Sequence, residues 1–250
     1  MPFARFRQAL SGACESLASL PLWSRAPQRH PPVKTHPPRR TNPPDRTNRL
    51  RIGTFNVQSL GSLFKQLDTL PQDLRRYRID ILGLQETKLY DLGRFDIDDY
   101  TLLTLPAQEK RHGVGFAVSP RLIPYLHRVW AHSDRIGVLE MRLPQTGHVN
   151  IVTAYAPHSG RPLTEVDIFH ADLRAVMDRF SRRDITFITG DFNAKLERRV
   201  QGETFLGRHA RGARNRNGHA LADFCDTYHL FATNTDFQKR AKNKTTWSQR

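Results

Sequence analysis

From residue 50 onward, short apolar runs alternate with amphipathic stretches, and their two periods separate strands from helices. Residues 50–57 and 79–85 read as strands, the second a buried one. Residues 63–77 place Leu63, Leu67, Leu70 and Leu74 at helical spacing, with Pro71 as an interruption. Residues 113–119, 137–143 and 149–155 read as further strands. Residues 163–180 form a helix that is amphipathic through Val166, Phe169, Leu173, Val176 and Phe180. The apolar run at 184–189 is another buried strand, 218–229 a helix and 230–233 a last strand. No internal repeat is visible. Strand-helix-strand units mixed with adjacent strand pairs predict an α/β fold, a two-sheet α/β sandwich.

The polar residues suited to chemistry stand where these strands end. Residues 189–196 read Thr-Gly-Asp-Phe-Asn-Ala-Lys-Leu and close the run at 184–188. Along an extended chain, Asp191 and Asn193 would point to the same side, and Gly190 would let the backbone approach a ligand. Asn56 ends the first strand, Glu86 follows residues 81–85, and Tyr155 stands in Thr-Ala-Tyr-Ala-Pro-His. Each has a plain structural reading: a turn for Asn56 or Asp191, a cap for Glu86, a half-buried strand aromatic for Tyr155. Together they could hold one hard divalent cation and a phosphate. Mg²⁺ needs only one or two carboxylates and takes the rest of its shell from water and substrate oxygens, with Mn²⁺ as a substitute. A Zn²⁺ site would show clustered His or Cys, and the eleven histidines have no such spacing.

Composition changes the picture at the N-terminus. Residues 1–50 hold nine of the sixteen prolines, with nine Lys/Arg against Glu15 and Asp45, a net +7 of the chain's +15. Such a segment cannot bury enough apolar surface to offset its ordering entropy, so residues 1–49 are expected to be a disordered basic arm and 50–250 the folded domain. No apolar stretch there is long enough for a membrane span, while an organelle presequence stays open because Glu15 is the sole acid near Arg5 and Arg7. Two cysteines, Cys14 and Cys225, form no disulfide framework and suit a reducing compartment. The charge favours polyanionic partners, DNA or another nucleic acid first and an anionic membrane second. Oligomeric state is not legible.

The ordered series Gly-Thr-Phe-Asn-Val, Leu-Gln-Glu-Thr, Tyr-Ala-Pro and Gly-Asp-Phe-Asn resembles the endonuclease/exonuclease/phosphatase superfamily of DNase I-like enzymes. The stretches Asn-Gly-His-Ala-Leu-Ala-Asp-Phe-Cys and Ala-Thr-Asn-Thr-Asp-Phe-Gln-Lys-Arg look more narrowly like the endonuclease domains of non-LTR retrotransposons and the craniofacial development protein 2 group. The resemblance covers about residues 50 to 250. It implies Glu86 as the metal-ligating glutamate with Asn56 beside it. It further implies Tyr155 as a phosphate contact, Asp191 as the residue that orients or deprotonates the attacking water, and Asn193 as the holder of water and phosphate. Where an acidic residue often follows two after the first Asn, this chain has Gln58.

The family pattern runs on past a Thr-Trp strand, matched here by Thr245-Thr246-Trp247, to an Asp and a Ser-Asp-His. This chain ends at Arg250 and contains no Asp-His dipeptide, so a sandwich incomplete at its C-terminus is expected. The resemblance therefore implies a Mg²⁺-dependent phosphodiesterase acting on DNA, weakened by that loss and working inside the cell, in the nucleus. Two alternatives stand beside it. One is an inactive nucleic-acid-binding relic; the other is a phosphoesterase acting on RNA, a phosphoinositide or sphingomyelin.

Overall fold

A computed structural model describes residues 49–60, 70–109 and 111–238. The expected arm at 1–49, except for Arg49, lies outside the described residues, as do Leu63, Leu67 and Thr245-Thr246-Trp247.

Among the described residues, nine strands build two sheets. The first takes β1 (Ile52–Asn56), β2 (Ile81–Gln85), β3 (Gly93–Ile97), β4 (Tyr100–Thr104) and β5 (Val114–Val118), in the order β1-β2-β5-β4-β3. The second takes β6 (Leu126–Ser133), β7 (Ile136–Leu143), β8 (Gly147–Tyr155) and β9 (Ile185–Asp191), in that order. Each sheet carries one parallel pair, β1 with β2 and β8 with β9; the other pairings are antiparallel. The two-sheet α/β sandwich expected from the sequence is the observed fold.

Alternation along the strands divides the core into three layers. Ile81, Phe116 and Val118 meet Leu139, Met141, Val149 and Ile151 between the sheets. On the outer face of the first sheet, Leu82, Leu84 and Leu102 pack on Leu70 and Leu74 of α1 (Leu70–Arg76). On the outer face of the second, Val138, Val152 and Ala154 pack on Phe169, Leu173 and Val176 of α2 (Leu163–Met177) and on Phe224 of α3 (Arg216–Thr227). The period-2 and period-3.6 patterns meet in these layers. Pro71 lies in the first described turn of α1 and breaks nothing.

Three strands were not anticipated. The hairpin of β3 and β4 is masked in the sequence by Arg94, Asp96, Asp98 and Asp99, and Asp98 turns it at φ 61°. β6 carries two irregularities in its register with β7, and its residues are mostly half-exposed, which blurs alternation. The strand expected at 230–233 does not form. Ala232 makes one isolated bridge to Leu206, and a 3₁₀ turn at Thr233–Thr235 follows at once. Among the described residues, no helix is long and apolar enough to cross a membrane.

Candidate active site

Both parallel pairs finish at the same end of the sandwich. Asn56 stands opposite Gln85, Tyr155 stands opposite Asp191, and β1 touches β9 across the sheets. Strand ends of this kind are where open sheets collect ligands. The Nδ2 of Asn56 donates to Glu86 Oε1 at 2.8 Å and to Asp191 Oδ2 at 3.0 Å. One carboxamide thus holds a carboxylate from each sheet. Its oxygen accepts the Gln58 backbone N–H at 3.0 Å, so the nitrogen, not the oxygen, faces the carboxylates.

The surroundings keep Glu86 charged. Burial works against its carboxylate, but hydrogen bonds from Asn56 and Tyr155 and the nearby Lys88 hold it below the usual carboxylate range. Burial pushes the Tyr155 phenol well up, and the charge of Glu86 adds to this, so the hydroxyl keeps its proton and donates to Glu86. The Lys88 ammonium lies 3.3 Å from Glu86 Oε2 and donates to the Gln58 carbonyl at 2.6 Å.

Asn193 reaches the site by a turn. β9 ends at Asp191, and Asn193 adopts φ 48°, so the extended alternation expected between them does not apply. Instead Asp191 Oδ1 accepts the Asn193 N–H at 3.1 Å, and the Asn193 amide donates to the Ala156 carbonyl at 2.9 Å. Gly190 also differs from expectation: a Cβ there would strike the Ala154 carbonyl of β8, so the glycine serves close strand packing. Of the eight non-glycine residues with positive φ among the described residues, five are Gln58, Ser59, Glu86, Lys88 and Asn193, all just past these strand ends. Such backbone persists where surrounding structure enforces it, and it concentrates at functional sites.

Beneath the four strand ends lies a buried polar floor. Gln85, 1% exposed, donates to Thr153 Oγ1 at 2.8 Å across the sheets and accepts from Thr54 Oγ1 at 3.1 Å. Behind Tyr155 stands a second group. Asp134 lies 2.7 Å from His112 Nδ1, and Arg135 Nη2 lies 2.6 Å from His112 Nε2. The Arg135 guanidinium sits 5.2 Å from the Tyr155 ring centroid and donates to the Tyr155 carbonyl at 3.2 Å. His158, exposed on the following loop, comes within 3.5 Å of the Tyr155 hydroxyl.

Asn56, Glu86, Tyr155, Asp191 and Asn193 are therefore brought together from four strand ends. Gln85, Lys88, His112, Asp134 and Arg135 escaped the sequence reading. A glutamine inside an otherwise apolar strand is the signal that Gln85 offered; the spacing of His112 from Asp134 and Arg135 offered none.

Among the described residues no group of three or more His, Cys, Asp or Glu is placed to hold a metal. The donors present still suit a hard cation that keeps its water: two carboxylates share one amide, and an ammonium already occupies the flank of Glu86.

The Endonuclease/Exonuclease/phosphatase family profile matches residues 53–237. Craniofacial development protein 2 of Bos taurus is 32% identical over 200 residues, 79% of this chain and 33% of that protein. The chain thus spans about a third of the length of this curated relative. Among solved structures, the AP endonuclease LMAP from Leishmania major superposes with a TM-score of 0.51 at 18% identity, covering 70% of this chain and 65% of that one. The endonuclease domain of TRAS1, a telomere-specific non-LTR retrotransposon, gives a TM-score of 0.47 at 17% identity and covers 72% of each chain.

Proposed function

The chain belongs to the endonuclease/exonuclease/phosphatase family, and from that premise we propose that it is a Mg²⁺-dependent phosphodiesterase whose substrate is DNA. The observation that carries this reading is the carboxamide of Asn56 joining Glu86 to Asp191 across the sheets. Glu86 would be the principal protein ligand of the cation, with Asp191 and Asn56 beside it. The bound cation supplies Lewis-acid stabilisation of charge on the phosphate and leaving oxygen.

The remaining work falls to side chains of this chain. Asp191, fixed by Asn56 and by the Asn193 N–H, orients water for in-line attack and accepts its proton. Asn193 has one amide hydrogen committed to Ala156; the second is available to the phosphate. Tyr155, held protonated, gives its one hydrogen to Glu86 here and would turn it to an incoming phosphate oxygen once Glu86 is engaged by the cation. The net charge of +15 supports a polyanionic substrate over a neutral one.

The test is nicking of supercoiled plasmid by the full chain with Mg²⁺, then with excess EDTA, alongside Glu86→Gln and Asp191→Asn. Nicking should need the metal; Asp191→Asn should lose about 10²–10⁴ in rate, the worth of a positioned base, and Glu86→Gln should lose rate by weakening the metal. Nicking that survives both EDTA and Asp191→Asn would overturn the assignment.

A further inference from the structure

We propose that Asn217, buried in the first turn of α3, is a positioning residue that sets the spacing between Tyr155 and Asn193. The proposal rests on the phosphodiesterase reading above and deepens it, since those two side chains are the ones assigned to the phosphate. The Asn217 Nδ2 donates to the Pro157 carbonyl at 2.8 Å and to the Phe192 carbonyl at 3.4 Å. Pro157 stands two residues past Tyr155, and Phe192 immediately precedes Asn193. One carboxamide thus commits both of its hydrogens to the two loops that leave β8 and β9.

Neighbouring residues tighten the same joint. The Asn215 Nδ2 donates to the Asn193 carbonyl at 3.1 Å, and the Asn193 Nδ2 donates to the Ala156 carbonyl at 2.9 Å. Arg216 donates to the Arg161 carbonyl at 2.6 Å, beyond the turn that follows His158. The helix is a firm reference for these loops. Ala222, Phe224 and Cys225 are buried on its apolar face, and a Cβ on Gly218 would strike the Lys195 carbonyl.

Helix formation does not account for Asn217. Asn215 already caps α3, its side chain accepting from the Gly218 N–H at 2.8 Å. Asparagine is also a poor helix former. Asn217 is 1% exposed, and its buried Oδ1 has no hydrogen-bond partner among the described residues. An unpaired buried acceptor is unfavourable for folding and calls for another reason. Geometry supplies that reason: Tyr155 and Asn193 sit on different loops, and a contact misplaced by about 1 Å can cost 10²-fold in rate.

The test compares Asn217→Ala and Asn217→Leu with Asn150→Ala in the full chain. Asn150 is a matched control, 4% exposed and donating to Asp184 at 3.3 Å near the opposite end of the β8–β9 pair. Backbone hydrogen exchange is measured first, without metal or DNA. The Ala156 and Asn193 N–H groups, both bound to Asp191, report one loop each. Both Asn217 variants should exchange about tenfold faster in these two loops, with β6 and β7 unchanged, and the control should not. Plasmid nicking with Mg²⁺ follows. There kcat should fall about 10- to 100-fold with KM little changed. The fall should shrink to about twofold in a Tyr155→Phe, Asn193→Ala background, where nothing is left to position. A merely structural residue would lower the melting temperature and cut kcat by the same factor in both backgrounds. Unchanged exchange in the two loops overturns the proposal, as does an equal fall in both backgrounds. A wild type that never nicks removes the catalytic reading and leaves exchange to decide the joint. A wild type that nicks, with kcat unaltered in the Asn217 variants, keeps the catalytic reading and removes the proposal.

Discussion

His112 Nε2 stands 2.6 Å from Arg135 Nη2, while its Nδ1 stands 2.7 Å from Asp134. A guanidinium can only donate, so Nε2 must accept and the ring proton sits on Nδ1, directed at Asp134. The pair is thus a brace. It fixes a guanidinium that in turn covers one face of Tyr155, whose hydroxyl meets Glu86. Asp134 is held below the usual carboxylate range: burial opposes its charge, but the His112 hydrogen bond and neighbouring positive charge prevail.

Arg135→Lys should therefore cost turnover more than folding. Lysine keeps the charge but loses the planar fork that reaches His112 and the Tyr155 carbonyl together. Misplacing a substrate contact by about 1 Å can cost 10²-fold in rate, so a fall in kcat of about 10- to 100-fold is expected with little change in duplex affinity. An unchanged kcat would show that Tyr155 needs no brace.

Lys88→Met is expected to tighten metal binding. The ammonium 3.3 Å from Glu86 competes with any cation for that carboxylate. Both side chains keep some solvent access, so the competition is worth about 1 kcal/mol, or about fivefold in affinity. Isothermal calorimetry of Mg²⁺ or Mn²⁺ into the two proteins measures it. Weaker binding in the variant would mean that Lys88 shapes the site through its bond to the Gln58 carbonyl.

Much of this arrangement was legible in the sequence, and the reason is periodicity. Strands such as Ile81–Gln85 and Ile185–Asp191 announce themselves by buried apolar runs, and the polar residue that ends each run is conspicuous. That Asn56, Glu86, Tyr155 and Asp191 meet follows once two parallel pairs are known to end together. Side-chain direction past the strand ends was not legible. Asn193 turns through a left-handed residue, and Asn56 presents nitrogen where the metal reading expected a ligand's neighbour. Nor was the brace, because His112 and Asp134 meet only after β5, β6 and β7 are in place.

The buried floor gives a prediction about stability. Thr153→Val keeps the shape but removes the acceptor for Gln85 Nε2, at a site almost closed to water. An orphaned buried donor costs about 1–3 kcal/mol. Urea unfolding should show that loss, and Gln85→Leu combined with Thr153→Val should recover part of it by removing both partners. A double variant as unstable as the sum of the two single ones would mean that the floor is not a coupled unit.

His170 sets a pH dependence away from the site. It lies in α2 against Phe169 and Phe224, 4% exposed, with Nδ1 buried and without a hydrogen-bond partner among the described residues. Burial pushes its imidazole down to about 4, and the charge of Arg174 acts in the same direction. The unfolded chain binds this proton near pH 6.5, whereas the folded one stays neutral until about pH 4. Between those values the unfolded state holds more protons, so stability rises with pH across the window and is flat for this group outside it. At 1.36 kcal/mol for each pH step of that difference, stability should drop by about 2 kcal/mol from pH 7 to pH 5. His170→Leu removes the titrating ring and an unsatisfied buried nitrogen together. It should leave stability at pH 7 nearly unchanged and flatten the fall toward pH 5 in urea titrations. If the variant loses stability with acid as steeply as the wild type, His170 is already protonated in the folded chain, and another buried group drives the acid sensitivity.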